Sequence, residues 1–137
     1  MSNFNKRSLV AAWLGIASLS LVGCAKSPEL KTASGKPVEF WVEALKAPNT
    51  DAKQRLKAVK TLSNVGPAHP QAIPALIEAL EQPDATLRGE VVLALFKIGP
   101  AAKGALPALE RLSQSDKDEK VRDYAKKMIA VINGSSN

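Results

Sequence analysis

An internal repeat of 33 residues restricts this chain to a small set of architectures. The residues at 65–68, VGPA, recur at 98–101 as IGPA, and those at 73–76, IPAL, recur at 106–109 as LPAL. A third signal is an aspartate followed four residues later by an arginine, each time before a largely apolar segment. These pairs are Asp51 with Arg55, Asp84 with Arg88, and Asp118 with Arg122. The agreement of independent signals indicates three copies of one structural unit.

Each unit is predicted to form two helices joined by a turn. In the second helix, apolar residues recur three, seven and ten residues after the arginine, which is close to the period of an α-helix. The expected core positions are Ala58, Leu62 and Val65, then Val91, Leu95 and Ile98, then Ala125, Ile129 and Ile132. One helix pair cannot bury such a stripe alone, so the pairs must stack on one another. We therefore predict an all-α fold, a short α-solenoid of three helix pairs over residues 38–132.

Turn residues mark where the second helices begin and end. Asp51 and Asp84 are placed to accept hydrogen bonds from the free N–H groups that open the first two of these helices. In the third unit we expect Ser115 or Asp116 to take that position. Glycine commonly ends a helix, because it adopts the left-handed conformation without strain. The expected stops are Gly66 and Gly99.

Residues 83–88, PDATLR, followed by residues 94–103, ALFKIGPAAK, and by the LPAL segment, resemble bacterial HEAT repeats. The resemblance covers residues 38–132 and implies that the aspartate and arginine of each turn pair across stacked units. By that interpretation Asp51, Asp84, Asp118, Arg55, Arg88 and Arg122 are structural. The period is shorter than the roughly 40–47 residues of larger HEAT and armadillo units. Tetratricopeptide and ankyrin repeats have about this length, but their signature residues are not found here.

One stripe of the second helices, which we call the lysine stripe, lies away from the expected core. It occupies the positions two residues before and two and five residues after each arginine. These are Lys53, Lys57 and Lys60, then Thr86, Glu90 and Leu93, then Lys120, Tyr124 and Lys127. In HEAT architecture second helices line the concave face, so the five lysines favour an acidic partner or an anionic surface. The alternative is that the lysines only solvate an exposed helix face, and Glu90 interrupts the stripe.

Apolar and aromatic residues outside the core stripe have two interpretations each. Val92, Leu93 and Phe96 form either a contact patch for a partner or part of the ordinary burial of the central helix. Trp41 is expected in the core, with Phe40 covering the N-terminal end of the stack. The functional alternative for these two residues is an aromatic anchor for a partner.

The first 23 residues are predicted to be a signal peptide. Lys6 and Arg7 precede an uncharged run of about fifteen residues, which is shorter than the roughly 20 needed to span a bilayer. The run ends in Leu21-Val22-Gly23-Cys24, which resembles the lipobox of bacterial lipoproteins. That resemblance implies removal of residues 1–23 and acylation of Cys24, the one cysteine in the chain. Ala25 is not the aspartate that favours inner-membrane retention, so we expect an outer-membrane anchor facing the periplasm.

Two polar segments flank the repeats. Residues 24–37 are predicted to be the lipidated N-terminus and a flexible tether, and a dozen flexible residues span roughly 20 Å. Residues 133–137 are a polar tail. Removal of the signal peptide leaves a formal excess of four positive charges, which is too modest to favour nucleic acid as a partner.

The composition gives little support to an enzyme. His69 is the single histidine and is expected to be solvated in its turn, and no phosphate-binding glycine loop or clustered carboxylates are present. We expect no catalytic residues, no metal, no cofactor other than the lipid on Cys24, and no small-molecule substrate. The leading hypothesis is a membrane-anchored, non-catalytic scaffold that holds an unidentified envelope protein. The alternatives are a pilotin-like escort of an outer-membrane subunit and a structural lipoprotein that binds anionic wall polymer.

Overall fold

The computed structural model describes residues 32–134. The signal peptide, the lipobox residues Leu21–Gly23, Cys24, the tether up to residue 31 and residues 135–137 lie outside the described residues. All three predicted repeats fall inside them.

The described residues form three helix pairs in a row, as the sequence predicts. Short 3₁₀ turns at Gly66–Ala68 and Gly99–Ala105 connect one pair to the next. The pairs are α1 (Val38–Lys46) with α2 (Ala52–Val65), α3 (Ala72–Ala79) with α4 (Ala85–Ile98), and α5 (Leu106–Ser115) with α6 (Glu119–Ile132). Contacts between α2 and α4, and between α4 and α6, make the second helices a continuous layer.

Side-chain caps fix the start of each second helix. Asp51 accepts from the N–H of Gln54 at 2.8 Å and Asp84 from that of Thr86 at 2.9 Å, as predicted. In the third unit the cap is Asp118, which accepts from the N–H of Val121 at 3.1 Å. The prediction of Ser115 or Asp116 in that role is wrong, because the helix begins later than expected. The glycine stops are confirmed, with φ of +44° at Gly66 and +72° at Gly99.

The core follows the predicted stripe in the first two units and departs from it in the third. Ala58, Leu62, Val91 and Leu95 are fully buried, and Val65 and Ile98 are half-buried. The buried row of α6 is Val121, Ala125, Met128 and Ile132. Met128 therefore replaces the expected Ile129, which is half-buried. Ile129 occupies the side that the next helix pair covers in the preceding units, whereas no further pair follows α6 in the described chain.

The side of each second helix that faces the next unit is apolar in α2 and α4, and the equivalent side of α6 is polar. Val59 and Val92 occupy equivalent places in α2 and α4, and both are buried. The glycine one turn before Val92, Gly89, lies against Tyr124 of α6. In α6 the equivalent places hold Asp123 and Lys126, which are exposed and pair with each other at 3.9 Å. The outer side of α6 is thus the polar surface expected of a terminal repeat.

The N-terminal end of the array is covered by a small hairpin. Thr32–Ala33 and Lys36–Pro37 pair as two short antiparallel strands, with Ser34 and Gly35 at the turn. These six residues were expected in the flexible tether, so the structure shortens the tether at this end. The Lys36 ammonium lies 4.0 Å from the Phe40 ring centre, where it can interact favourably with the ring face.

The two aromatic residues of α1 are placed as the sequence predicts. Trp41 is buried in the core and Phe40 is half-buried. Their rings meet edge to face at 5.1 Å, a favoured geometry for an aromatic pair. Both residues thus help to close the first unit.

The arginines hold the turns, but not through the aspartates that precede them by four residues. Asp51, Asp84 and Asp118 cap their own helices, so the prediction that they pair with arginines across units is wrong. Each arginine instead donates to backbone carbonyls of the loop before its own helix. Arg88, for example, donates from Nη1 to the carbonyls of Gln82 and Pro83 at 2.9 Å.

One arginine also bridges two units through a carboxylate that sequence analysis assigned differently. Arg88 donates from Nε and Nη2 to the two oxygens of Asp116, both at 2.7 Å. The two side chains are 12% and 2% exposed. Hydrogen bonding from Arg88 holds the pKa of Asp116 below its ordinary value, against the opposite effect of burial, and the same bond raises the pKa of Arg88. Units two and three are therefore joined by a bidentate ion pair.

The corresponding arginine of the first unit lacks such a partner. Arg55 donates from Nη2 to the carbonyls of Pro48, at 2.8 Å, and Ala47, at 3.3 Å. Its Nε is buried and has no hydrogen-bond partner among residues 32–134. Gln82 occupies in the second unit the place that Asp116 occupies in the third, two residues before the capping aspartate. Within residues 32–134, the interface between units one and two thus leaves an arginine N–H unpaired that the interface between units two and three pairs.

Residues 85–115 form a helical stretch whose length and hydropathy of 1.4 would suit a membrane span. The backbone leaves helical geometry at Ala102, where φ is −88° and ψ is 19°, so the stretch contains two helices. Leu95 in the first and Leu109 in the second are fully buried in the core. Packing between helix pairs accounts for the apolar character of this stretch.

Candidate interaction surface

We call the exposed side of α2, α4 and α6 the second-helix face. The five lysines of the lysine stripe are all exposed on it: Lys53, Lys57, Lys60, Lys120 and Lys127. Within residues 32–134, none of them lies within ion-pair distance of a carboxylate. Lys57 lies 5.4 Å from the Trp41 ring centre, which leaves its charge unneutralised. The face therefore carries positive charge that residues 32–134 do not neutralise by ion pairing.

The lysines are divided into two groups by α4. Three belong to α2 and two to α6, and the intervening helix contributes Thr86, Glu90 and Leu93. Glu90 is half-buried and, in the described part of the chain, has no ion-pair partner. The structure thus places a carboxylate between two basic margins.

Two large apolar side chains are exposed on α4. Leu93 is 42% exposed and Phe96 is 47% exposed, whereas Val92 is fully buried. Of the two interpretations of these three residues, ordinary burial holds for Val92 and is wrong for Leu93 and Phe96. The exposure of Leu93 and Phe96 leaves the contact patch open as the interpretation of these two residues.

Three shallow cavities follow the second-helix face. The first, of about 340 Å³, lies at the N-terminal end and is lined by Phe40, Trp41, Lys53 and Lys57 among others. The second, of about 350 Å³, lies between α2 and α4. The third, of about 330 Å³, lies between α4 and α6. Each is open to solvent and can accept side chains from a partner.

The second and third cavities share two residues. Glu90 and Leu93 line both cavities. Lys60 and Lys97 also line the cavity between α2 and α4, and Lys120 and Tyr124 also line the cavity between α4 and α6. Tyr124 is half-buried, and its ring packs over Gly89. With Thr86, which also lines the third cavity, six of the nine stripe positions surround α4 in this way.

Lys97 was missed by sequence analysis. Its Nζ donates to Asn64 Oδ1 at 2.6 Å and joins the C-terminal ends of α2 and α4. Asn64 and Lys97 are both nine residues after the arginine of their unit, which is the next position of the same stripe. Extending the helical spacing by one turn would have found both residues.

The search for a metal site among the described residues is negative. Residues 32–134 contain no group of three or more histidine, cysteine, aspartate or glutamate side chains that could hold a metal ion. His69 was expected to be solvated, but its side chain is only 13% exposed and its Nε2 lies 3.6 Å from Glu39 of α1. The contact links α1 to the turn before α3, which is a structural position.

A family model for HEAT repeats matches residues 38–130. The chain belongs to the HEAT-repeat family. HEAT repeats are generally protein-interaction modules, so the second-helix face belongs to a class of fold whose partners are other proteins. No curated protein and no solved structure matches the chain.

Proposed function

We propose that this HEAT-repeat protein is a lipid-anchored, non-catalytic scaffold of the bacterial envelope that holds another protein on its second-helix face. The observation that carries the proposal is the coincidence, on one face, of the exposed side chain of Leu93 with five lysines that have no ion-pair partner among residues 32–134. The exposed ring of Phe96 lies three residues further along α4. A basic margin steers an acidic partner, and a central apolar contact supplies most of the binding energy in protein interfaces.

The location rests on the sequence. The uncharged run before Cys24 and the lipobox-like residues 21–24 support export and acylation, and acylation would hold the domain at a membrane surface. Ala25 supports the outer membrane over the inner. A Cys24→Ser change should release the protein from membranes, and metabolic labelling with palmitate should be lost with it.

The scaffold is tested by crosslinking in cells, followed by recovery of the full-length protein. The test variant changes Lys53, Lys57 and Lys60 to glutamate. Its matched control changes Lys36, Lys103 and Lys117 to glutamate, three exposed lysines that lie outside the second helices. Recovery of one envelope protein that is lost only with the test variant supports the proposal. Equal recovery with both variants, at preserved helicity, refutes the use of this face.

A pilotin-like escort is the second candidate, because it requires an apolar contact for a partner helix and Leu93 and Phe96 provide one. Deletion of the gene should then leave an outer-membrane subunit in the inner-membrane fraction. Leu93→Ser with Phe96→Ser should reproduce that defect. A correct distribution of outer-membrane subunits in the deletion strain excludes the escort.

A further inference from the structure

We propose that the second-helix face selects a patterned polypeptide: an amphipathic helix with acidic residues toward both ends, apolar residues on one side, and a cationic side chain opposite Glu90. The inference rests on the proposed function, and it names the chemistry of the partner and the residue that sets specificity.

Glu90 carries the argument. It lines both central cavities, it is half-buried, and it has no ion-pair partner among residues 32–134. A partner that covers this point removes water from the carboxylate, and an uncompensated charge at an interface is costly. Lys60, Lys97 and Lys120 line the same cavities, but none of them lies within ion-pair distance of Glu90. A partner that brings a positive charge or a hydrogen-bond donor to Glu90 is therefore favoured.

The two groups of lysines on either side of α4 favour acidic residues on the partner. Lys53, Lys57 and Lys60 lie on one side of α4, and Lys120 and Lys127 lie on the other. Packed helices are separated by about 8–10 Å, so the two margins lie roughly 20 Å apart. A helix of about 13 residues covers that distance at 1.5 Å per residue. The complementary ligand carries acid at its two ends and a cation between them.

The central cavities set the apolar spacing. One lies between α2 and α4 and the other between α4 and α6, with Leu93 on the ridge that separates them. Their centres are therefore separated laterally by about one interhelical distance, roughly 10 Å. Two residues seven apart on one side of a helix span about the same distance. Such a pair fits one apolar side chain into each cavity.

Charge disfavours two other occupants. A second copy would bring the same lysines against each other, and like charges placed together oppose association. A uniformly anionic surface or polymer presents negative charge throughout and offers no cation to Glu90. The alternation of charge on this face favours a polypeptide, whose sequence can alternate in the same way.

The experiment compares designed helical peptides of about 18 residues, which span about 27 Å. One peptide has glutamates at both ends, two leucines seven apart and a central lysine. The second replaces that lysine with glutamate. Poly-glutamate and phosphatidylglycerol vesicles serve as uniform anionic probes. Each is titrated against the wild-type protein, Glu90→Lys, and the control Glu110→Lys, which makes the same change in charge at an exposed position of α5.

We expect the patterned peptide to bind the wild-type protein at least about tenfold more tightly than the uniformly acidic peptide, the effect of about 1.4 kcal/mol. Glu90→Lys should reverse this order and strengthen binding of the uniform probes, whereas Glu110→Lys should leave the order unchanged. If the uniformly acidic probes bind the wild-type protein as tightly as the patterned peptide, the inference fails.

The two proposals fail in different ways. Absence of peptide binding, together with lysine-dependent recovery of an envelope protein in cells, overturns the pattern and leaves the scaffold. Changing Lys53, Lys57 and Lys60 to glutamate without effect on either measurement overturns the use of this face by the scaffold. The proposed charge pattern of the partner is supported only if the relative affinities of the two peptides depend on Glu90.

Discussion

Replacing Gln82 with aspartate should stabilise the protein by completing the ion pair that the first interface lacks. Gln82 lies six residues before Arg88, as Asp116 lies six residues before Arg122. Asp116 binds the arginine of the preceding unit in bidentate fashion. By the same register, an aspartate at position 82 faces Arg55, whose Nε is buried without a partner.

The magnitude follows from what the new carboxylate satisfies. A hydrogen bond to a charged group contributes about 1.5–3 kcal/mol. Part of that gain is offset by partial burial of the new charge, because Gln82 is half-buried. We therefore expect Gln82→Asp to raise the free energy of unfolding by about 1–2 kcal/mol. For a domain of this size the melting temperature should rise by roughly 5 °C or more.

The assay is urea unfolding of residues 24–137 carrying Cys24→Ser, followed by circular dichroism. Gln82→Asn is the control, because it has the same size as aspartate without the charge. A double-mutant cycle with Arg55→Met measures the pair itself. The gain should disappear in acid, as the pH falls through the pKa of the new carboxyl group.

Three outcomes would refute the reasoning. Gln82→Asp could be neutral or destabilising at neutral pH, Gln82→Asn could stabilise equally, or the gain could persist beside Arg55→Met. Any of these would show that Gln82 and Asp116 are not equivalent in space, and that the repeats stack in different registers at the two interfaces.

Three further substitutions test the fold. Asp116→Asn should cost about 2–4 kcal/mol, because Arg88 keeps its charge without a carboxylate. Since the folded pKa of Asp116 is lowered, this contribution is present above about pH 4 and is lost as the pH falls through the folded pKa, so acid unfolding curves of the two proteins should converge. Leu95→Ala should cost about 2–5 kcal/mol in urea unfolding, and a loss below about half a kcal/mol would contradict its place in the core. Gly89→Ala should raise stability by about 0.5–1 kcal/mol, because the new methyl group meets Tyr124 and Val121 at 3.9 Å, an ordinary contact; a loss in thermal unfolding would show crowding instead.

Repetition made the architecture predictable. The same spacing of apolar residues, capping aspartates and terminal glycines occurs in successive units, so each copy checks the others. The errors fall where the copies differ. Met128 takes the place expected for Ile129 because α6 is covered on one side only. The spacing of apolar residues along a helix does not show which of its sides a neighbouring helix covers.

The surface was less predictable than the core. Helical spacing located the lysines, because exposed positions repeat as regularly as buried ones. The pairing of Arg88 with Asp116 was missed, since the resemblance pointed to Asp118, two residues further on. Spacing along one helix gives the face of a residue, whereas a contact between units depends on how the loops fold. The cavities around Glu90 and Leu93 also arise between helices, and no single segment encodes them.

The polar row on α6 has a consequence for self-assembly. If Asp123 and Lys126 were apolar, as Leu56 and Val59 are in the first unit, the end of the array would offer a matching surface to another copy. Such a head-to-tail contact does not close on itself, so each added copy would expose the same surface again and a filament would grow. Confinement to a membrane would raise the local concentration and favour that growth. The charges of Asp123 and Lys126 thus oppose head-to-tail growth at the α6 end of the array.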